Sequence, residues 1–174
     1  THPRPVRTND IEPSVTFVVA AHDEEAVIEW RLENLLALDY PPDRLEIVVV
    51  SDASTDATDA IVASVASRNE RVRLLSVPRG GKVAAQDHAV RQSDGEILAF
   101  SDANTGWKPD ALRRLIRNFA DEDVAYVCGS HFYERGNGTN REGIYARFEG
   151  WLRQNEPRFG SITAGVGPIY AVRR

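Results

Sequence analysis

Apolar positions follow two rhythms along this chain, and their alternation predicts the fold. Val15-Thr16-Phe17-Val18-Val19-Ala20-Ala21 is a nearly unbroken apolar run, as in a strand buried on both faces. Directly after it, Val27, Ile28, Leu32, Leu35 and Leu36 recur at helical spacing. Asp39-Tyr40-Pro41-Pro42 ends that helix, and Leu45-Glu46-Ile47-Val48-Val49-Val50 is a second buried strand running into Ser51-Asp52-Ala53-Ser54-Thr55-Asp56. Ser54 or Thr55 can cap the next helix, which carries Ile61, Val62, Val65 and Ala66. The strand Val72-Arg73-Leu74-Leu75-Ser76-Val77 follows, then a helix from about Val83 to Gln92 and a strand from Ile97 to Phe100. A helix from Pro109 bearing Leu112, Leu115, Ile116 and Phe119 closes the series. This order predicts an α/β fold, a mainly parallel sheet with helices on both faces.

The last third changes rhythm. A strand is expected near Val124 to Ser130, and the polar stretch from Glu134 to Arg141 reads as a loop. Ile144, Phe148, Trp151 and Leu152 then define an amphipathic helix with an aromatic face, read as packed on the sheet, with membrane contact as the alternative. Ile169 to Arg174 reads as a final strand.

At 174 residues the chain fits one domain, divided here into an N-terminal extension, 1–14, and a domain, 15–174. The net charge of -5 disfavours nucleic acid, so an anionic ligand would need a cation, a few Lys or Arg side chains, or helix-start amides. Cys128, alone of its type, is expected to be a buried structural thiol. The polar opening is no signal segment and no apolar run approaches the ~18 residues of a membrane span, so the chain is expected to be cytoplasmic. The lack of any Met and the abrupt end after a strand suggest an excised piece of a longer protein.

Candidate chemistry gathers at strand ends, where open parallel sheets bind ligands. Asp102 and Asn104 leave the strand at Ile97 one residue apart, and such hard oxygen ligands can share Mg²⁺ or Mn²⁺ with substrate phosphate and water. The simpler alternative makes Asp102 a turn cap ahead of Pro109. Ala21-His22-Asp23-Glu24-Glu25 and Ser51-Asp52-Ala53-Ser54 end the first two strands, and Asp52 could accept hydrogen bonds from a base or ribose. Arg79-Gly80-Gly81-Lys82 is not a Walker A loop, because Ser76 and Val83 stand where Gly and Ser or Thr are required, although Lys82 could contact base or phosphate. Rossmann dehydrogenase, zinc and serine-hydrolase patterns are absent, and Asn137-Gly138-Thr139 is only a formal sequon.

In this order the segments resemble a family 2 glycosyltransferase of the GT-A, Rossmann-like type. Val18 to Glu25 resembles the family's first strand and its Pro-Ala-Tyr-Asn-Glu-Glu ending, and Ser51 to Asp56 its Asp-Asp-Gly-Ser-Thr-Asp element. Gly81-Lys82 with Asp87 falls where the family has Gly-Lys and a later Asn. Asp102-Ala103-Asn104 falls on its Asp-x-Asp site, and Gly167 to Arg174 resembles its acceptor-side Gly-Ala-x-Tyr-Ala-x-Arg-Arg segment.

The resemblance implies a UDP-sugar donor and an unknown sugar or lipid acceptor. Ala21, His22, Glu24 and Asp52 would line the uridine pocket, Lys82 would approach base or phosphate, and Asp102, Ala103 and Asn104 would hold the diphosphate. A divalent cation would sit on Asp102 and Asn104, with Asn104 in place of Asp weakening it. The general base is expected beyond Arg174, so the catalytic residue is unassigned. The whole protein is expected to resemble membrane-anchored polysaccharide synthases at the cytoplasmic face of the inner membrane. A sugar-1-phosphate nucleotidyltransferase and a noncatalytic nucleotide-sugar-binding module are the alternatives.

Overall fold

Strand β1 (Val15–Ala21) is the first element of a computed structural model that describes residues 4–129 and 169–174. It is followed by α1 (Ile28–Leu36), β2 (Leu45–Asp52), α2 (Thr58–Ala66), β3 (Val72–Val77), α3 (Lys82–Arg91), β4 (Ile97–Asp102) and α4 (Ala111–Ile116). Two short strands complete the set, β5 (Tyr126–Cys128) and β6 (Tyr170–Arg173). Strand order is β3-β2-β1-β4-β6-β5. The first four are parallel, and β6 runs antiparallel to both β4 and β5. The chain winds outward from β1 to β3, then crosses back to place β4 on the other side of β1. That reversal opens a crevice at the C-terminal ends of β1 and β4.

Side-chain alternation decides which residues reach it. Phe17, Val19, Ile47, Val49, Ile97 and Ala99 face one layer, built from Ile28, Leu32 and Leu35 of α1, Val62 and Val65 of α2, and Leu112, Leu115 and Ile116 of α4. Val18, Val48, Val50, Leu98 and Phe100 face the other, against Ala85 and Ala89 of α3. Two residues beyond Val50 and Phe100, the same parity delivers Asp52 and Asp102 to the α3 face.

Within the described residues the expected strands and helices are present, with local differences. Pro109 stands two residues before α4, whose last turn tightens into a 3₁₀ segment at Arg117–Ala120. Neither Ser54 nor Thr55 caps α2; Asp56 does the nearest equivalent, accepting the Thr58 N–H at 2.9 Å. Cys128 is half-buried, since its strand lies at the sheet edge. Residues 4–14 are tied to the domain: Arg4 pairs with Asp121 at 2.5 Å, Glu12 with Arg113 at 2.8 Å, and Tyr40 donates its hydroxyl to Pro13 O at 2.7 Å. The loop expected at Glu134 to Arg141, the helix at Ile144 to Leu152 and the segment Gly165 to Pro168 lie outside the described residues. Among the described residues no helix is long and apolar enough to cross a membrane.

Candidate functional site

A cleft of about 380 Å³ sits over the ends of β1, β2 and β4. Ala21, His22, Glu24, Asp52, Lys82, Asp102, Ala103 and Asn104, the residues expected to hold nucleotide and cation, line it, together with Ala20, Arg79 and Gly81. A second hollow of about 490 Å³ lies at the opposite end of the strands, but its wall is the single loop 66–70 and no strand-end residue reaches it.

Two loops build one wall by exchanging hydrogen bonds. The N–H groups of Asp23, Glu24 and Glu25 donate to Ser54 Oγ, Thr58 Oγ1 and Asp56 Oδ2 at 3.2, 2.8 and 3.0 Å. In return Asp23 Oδ1 accepts the Thr55 N–H at 2.7 Å, and Glu25 Oε2 accepts that of Ala57 at 2.9 Å. Of the acidic run after β1, this leaves Glu24 as the member that lines the cleft. The Thr55 N–H holds the Asp23 carboxyl below its ordinary range. Burial acts to raise Asp56, but the Thr58 hydroxyl, the Thr58 N–H and the Glu25 N–H outweigh it and lower it.

Asp52 forms the floor and is 3% exposed. Its Oδ1 accepts the Gly80 N–H at 2.7 Å; Oδ2 accepts that of Gly81 at 2.9 Å and Arg79 Nη1 at 3.1 Å. The Gly80 bond first, then Gly81 and Arg79, hold its pKa low despite burial. Asp52 is thus already engaged by the protein and fixes the loop into α3, leaving less of it for a ligand than the sequence reading supposed. Arg79, set aside with the failed P-loop pattern, is the lining residue that reading missed. Its signal was a basic residue directly ahead of a Gly-Gly helix start.

Lys82, in the first turn of α3, donates Nζ to Asp102 Oδ1 across the cleft. The Asp102 carboxylate is therefore no turn cap; only its backbone oxygen accepts the Thr105 N–H, at 3.4 Å. Asn104 is exposed, its amide oxygen accepting the Thr105 hydroxyl at 3.5 Å. Among the described residues no group of three or more His, Cys, Asp or Glu could hold a metal ion. Asp102 and Asn104 fit a divalent cation as a partial set, two hard oxygens whose remaining partners would be phosphate and water. Asp87, aligned with the family's Asn, is not in the cleft and pairs with Arg91 at 2.7 Å.

Behind the cleft, Trp107 Nε1 donates to Ser101 Oγ at 3.2 Å, and Asn34 makes two bonds of 2.9 Å with the Trp107 backbone. These bonds clamp the loop after Asp102 onto α1.

A parallel sheet that reverses at β1 and β4, with a carboxylate and an amide one residue apart at that reversal, defines a GT-A nucleotide-sugar fold. The model of Glycosyl transferase family 2 matches residues 16–174, and the chain belongs to that family. It is 36% identical over 168 residues to a beta-monoglucosyldiacylglycerol synthase of Synechocystis, covering 90% of this chain and 33% of the relative. It is 28% identical over 166 residues to a poly-beta-1,6-N-acetyl-D-glucosamine synthase of Staphylococcus aureus, covering 93% and 40%. Among solved structures, a mannosyltransferase from Pyrobaculum calidifontis in complex with GDP-Man and Mn²⁺ superposes with a TM-score of 0.79 at 30% identity, covering 98% of this chain and 48% of the other. The chain thus spans about a third of the length of the first curated relatives it matches.

Proposed function

We propose that this chain is the donor-binding part of an inverting glycosyltransferase that moves a sugar from a UDP-sugar to an acceptor hydroxyl in polysaccharide or glycolipid synthesis. One observation carries the reading: every residue assigned to the nucleotide and the cation lines a single cleft at the strand reversal. The uridine lies against Ala21, His22, Glu24 and Asp52. Arg79 and Lys82 bring positive charge to the diphosphate, and Asp102 and Asn104 face the divalent cation. When bound, Mg²⁺ or Mn²⁺ supplies Lewis acidity to the departing diphosphate. In the transfer the acceptor oxygen bonds to the anomeric carbon as the bond to diphosphate breaks, and a carboxylate of the whole protein takes the acceptor proton. The related mannosyltransferase, solved with GDP-Man and Mn²⁺, supports a nucleoside-diphosphate sugar and a cation while leaving guanine as the competing base.

Calorimetric titration of UDP and GDP, with and without Mn²⁺, into the chain and into Asp102→Ala tests this. Metal-enhanced UDP binding lost in the variant is expected; tighter GDP binding reassigns the base, and no nucleotide binding removes the proposal. A noncatalytic nucleotide-sugar-binding module is the second reading, favoured by the amide at Asn104 and by the Lys82 contact on Asp102. Release of UDP from UDP-sugar by the whole protein decides against it.

We also propose that the whole protein works at the cytoplasmic face of the inner membrane. The glycolipid and polysaccharide synthases among its relatives support this. Recovery of the full-length protein in the soluble fraction after lysis would refute it.

A further inference from the structure

Arg31 is the anomaly of the core. It lies on α1 at 0% exposure, the largest fully buried side chain of the described residues. Its Nη1 donates to Asn34 Oδ1 at 2.6 Å, and its guanidinium lies 5.5 Å from the centroid of the Phe17 ring. Nε and Nη2 are buried and find no hydrogen-bond partner. Buried charge is strongly unfavourable unless paired and fully hydrogen-bonded. Burial accordingly pulls its pKa down to about 9, opposed by the charge of Asp102. At neutral pH it is still a cation. Packing does not demand one, because an unbranched apolar side chain would fill the same space without two orphaned donors.

The surroundings assign the charge to the cleft. Arg31 stands over Phe17 on the α1 side of β1, and Asp102 ends the neighbouring strand β4. Phe17 pairs with Ala99, three residue steps before Asp102, on the order of 10 Å along the strand. Arg31 lies on the α1 face and the Asp102 carboxylate on the α3 face, with Phe17 and apolar core between them, so the guanidinium acts on the strand end through low-dielectric material, and the charge of Asp102 acts on it in return. The cleft side already carries Arg79 and Lys82, and position 104 is a neutral amide. Glu24, Asp52 and Asp102 outnumber these two cations, so a diphosphate entering the cleft needs further positive charge nearby.

We infer that Arg31 is a buried positioning charge that draws the donor diphosphate into the cleft without touching it, so that nucleotide binds measurably even without a divalent cation. This rests on the donor-site reading above. An anion entering the cleft is attracted by Arg31 as the Asp102 carboxylate now is, and the free protein carries the cost of the orphaned donors, as function-bearing sites commonly do.

The test is equilibrium binding of UDP and of uridine to the full 174-residue chain in EDTA, for wild type, Arg31→Met and Arg31→Lys, with thermal unfolding of each. GDP and guanosine replace them if GDP is the nucleotide that wild type binds. Arg31→Met should weaken UDP at least about tenfold, leave uridine within about twofold, and keep or raise the unfolding temperature. Arg31→Lys should retain most UDP affinity, and the loss in Met should persist at 1 M NaCl, where surface charges are screened. Equal losses for UDP and uridine, or Lys behaving as Met, would show a structural role and overturn the inference. Undiminished UDP binding by Arg31→Met overturns it alone, whereas a wild type that binds no nucleotide with or without Mn²⁺ removes the donor-site reading as well.

Discussion

The carboxylate of Asp52 accepts the backbone N–H of Gly81 at 2.9 Å, tying the last residue of β2 to the residue directly ahead of α3. Gly81 has φ +82°, a left-handed geometry that glycine adopts without strain. A Cβ there would meet nothing within 4 Å, so the constraint is conformational rather than steric. Lys82 follows directly, and its reach to Asp102 depends on that turn. Asp52→Ala is therefore expected to speed amide exchange at Gly80 and Gly81 and to weaken nucleotide binding about tenfold or more. Unchanged exchange at both amides, measured by NMR, would show that the loop holds without the carboxylate.

Ala53 occupies a left-handed backbone with φ +55°, at the position where the family element carries glycine. An L-residue there costs about 1–2 kcal/mol, while glycine's extra unfolded freedom costs roughly 0.5–1 kcal/mol. Ala53 is exposed, so no packing is lost on truncation. Ala53→Gly should stabilise the chain by roughly 0.5–1 kcal/mol, about 1–4 °C in Tm. A lower Tm would mean that the freedom glycine adds to the unfolded chain outweighs the strain it relieves at this turn.

Asp23, Asp52, Asp56 and Asp121 all have carboxyl pKa values held below the ordinary 3.8. For Asp121, 1% exposed, the first cause is its hydrogen bond from Arg4, followed by the Arg7 N–H. A depressed folded pKa means that the unfolded chain takes up protons first as pH falls. The stability these groups confer is thus complete above the unfolded value and is lost as pH drops from about 3.8 through the lower folded values. Thermal unfolding should be nearly constant from about pH 7 to 5 and fall steeply below about pH 4. Asp121→Asn should lower Tm at neutral pH and flatten the acid limb. An acid limb as steep as that of wild type would exclude Asp121 as a contributor.

The three inner parallel strands were legible because each buried run is dominated by Val, Ile, Leu, Ala or Phe and bounded by turn residues, while β3, at the sheet edge, carries Arg73 and Ser76. Asp102, Asp52 and Glu24 were legible because parallel sheets expose ligands at strand ends. Helix caps were not: Ser54 and Thr55 have cap chemistry, but their oxygens bond to the β1 loop, a long-range choice that spacing cannot show. Arg31 was hidden for a related reason. Its spacing from Val27, Ile28 and Leu35 puts it in the apolar stripe of α1, but a charged side chain carries no sign in sequence of the Asn34 bond and the Phe17 ring that hold it inside.

Asn34 joins three groups behind the cleft, accepting from Arg31 Nη1 and Trp107 N and donating to Trp107 O. Asn34→Ala removes all three bonds and leaves Arg31 without a hydrogen-bond partner among the described residues. A loss of about 2–3 kcal/mol in urea denaturation is expected. Trp107→Phe gives up the Nε1 bond to Ser101, about 1 kcal/mol, and also loses part of a buried indole packed on Phe17. Unchanged urea denaturation of Asn34→Ala would show that Asn34 does not hold the clamp.

Position 104 is where this chain departs from the charge of the family's metal site. An amide oxygen can ligate a hard cation, but it brings no negative charge, and Lys82 opposes the cation further by its contact with Asp102. That pair is half-exposed, 53% for Lys82 and 39% for Asp102, so water competes for it and it holds weakly. Removing Lys82 should therefore matter less than adding a carboxylate. Asn104→Asp is expected to tighten Mn²⁺ about tenfold, roughly 1.4 kcal/mol, in the presence of nucleotide. Lys82→Gln should tighten it by a smaller factor and weaken nucleotide in EDTA. Free Mn²⁺ followed by electron paramagnetic resonance measures both. An Asn104→Asp variant with unchanged Mn²⁺ affinity would show that residue 104 does not face the cation, leaving Asp102 as the protein's ligand from this motif.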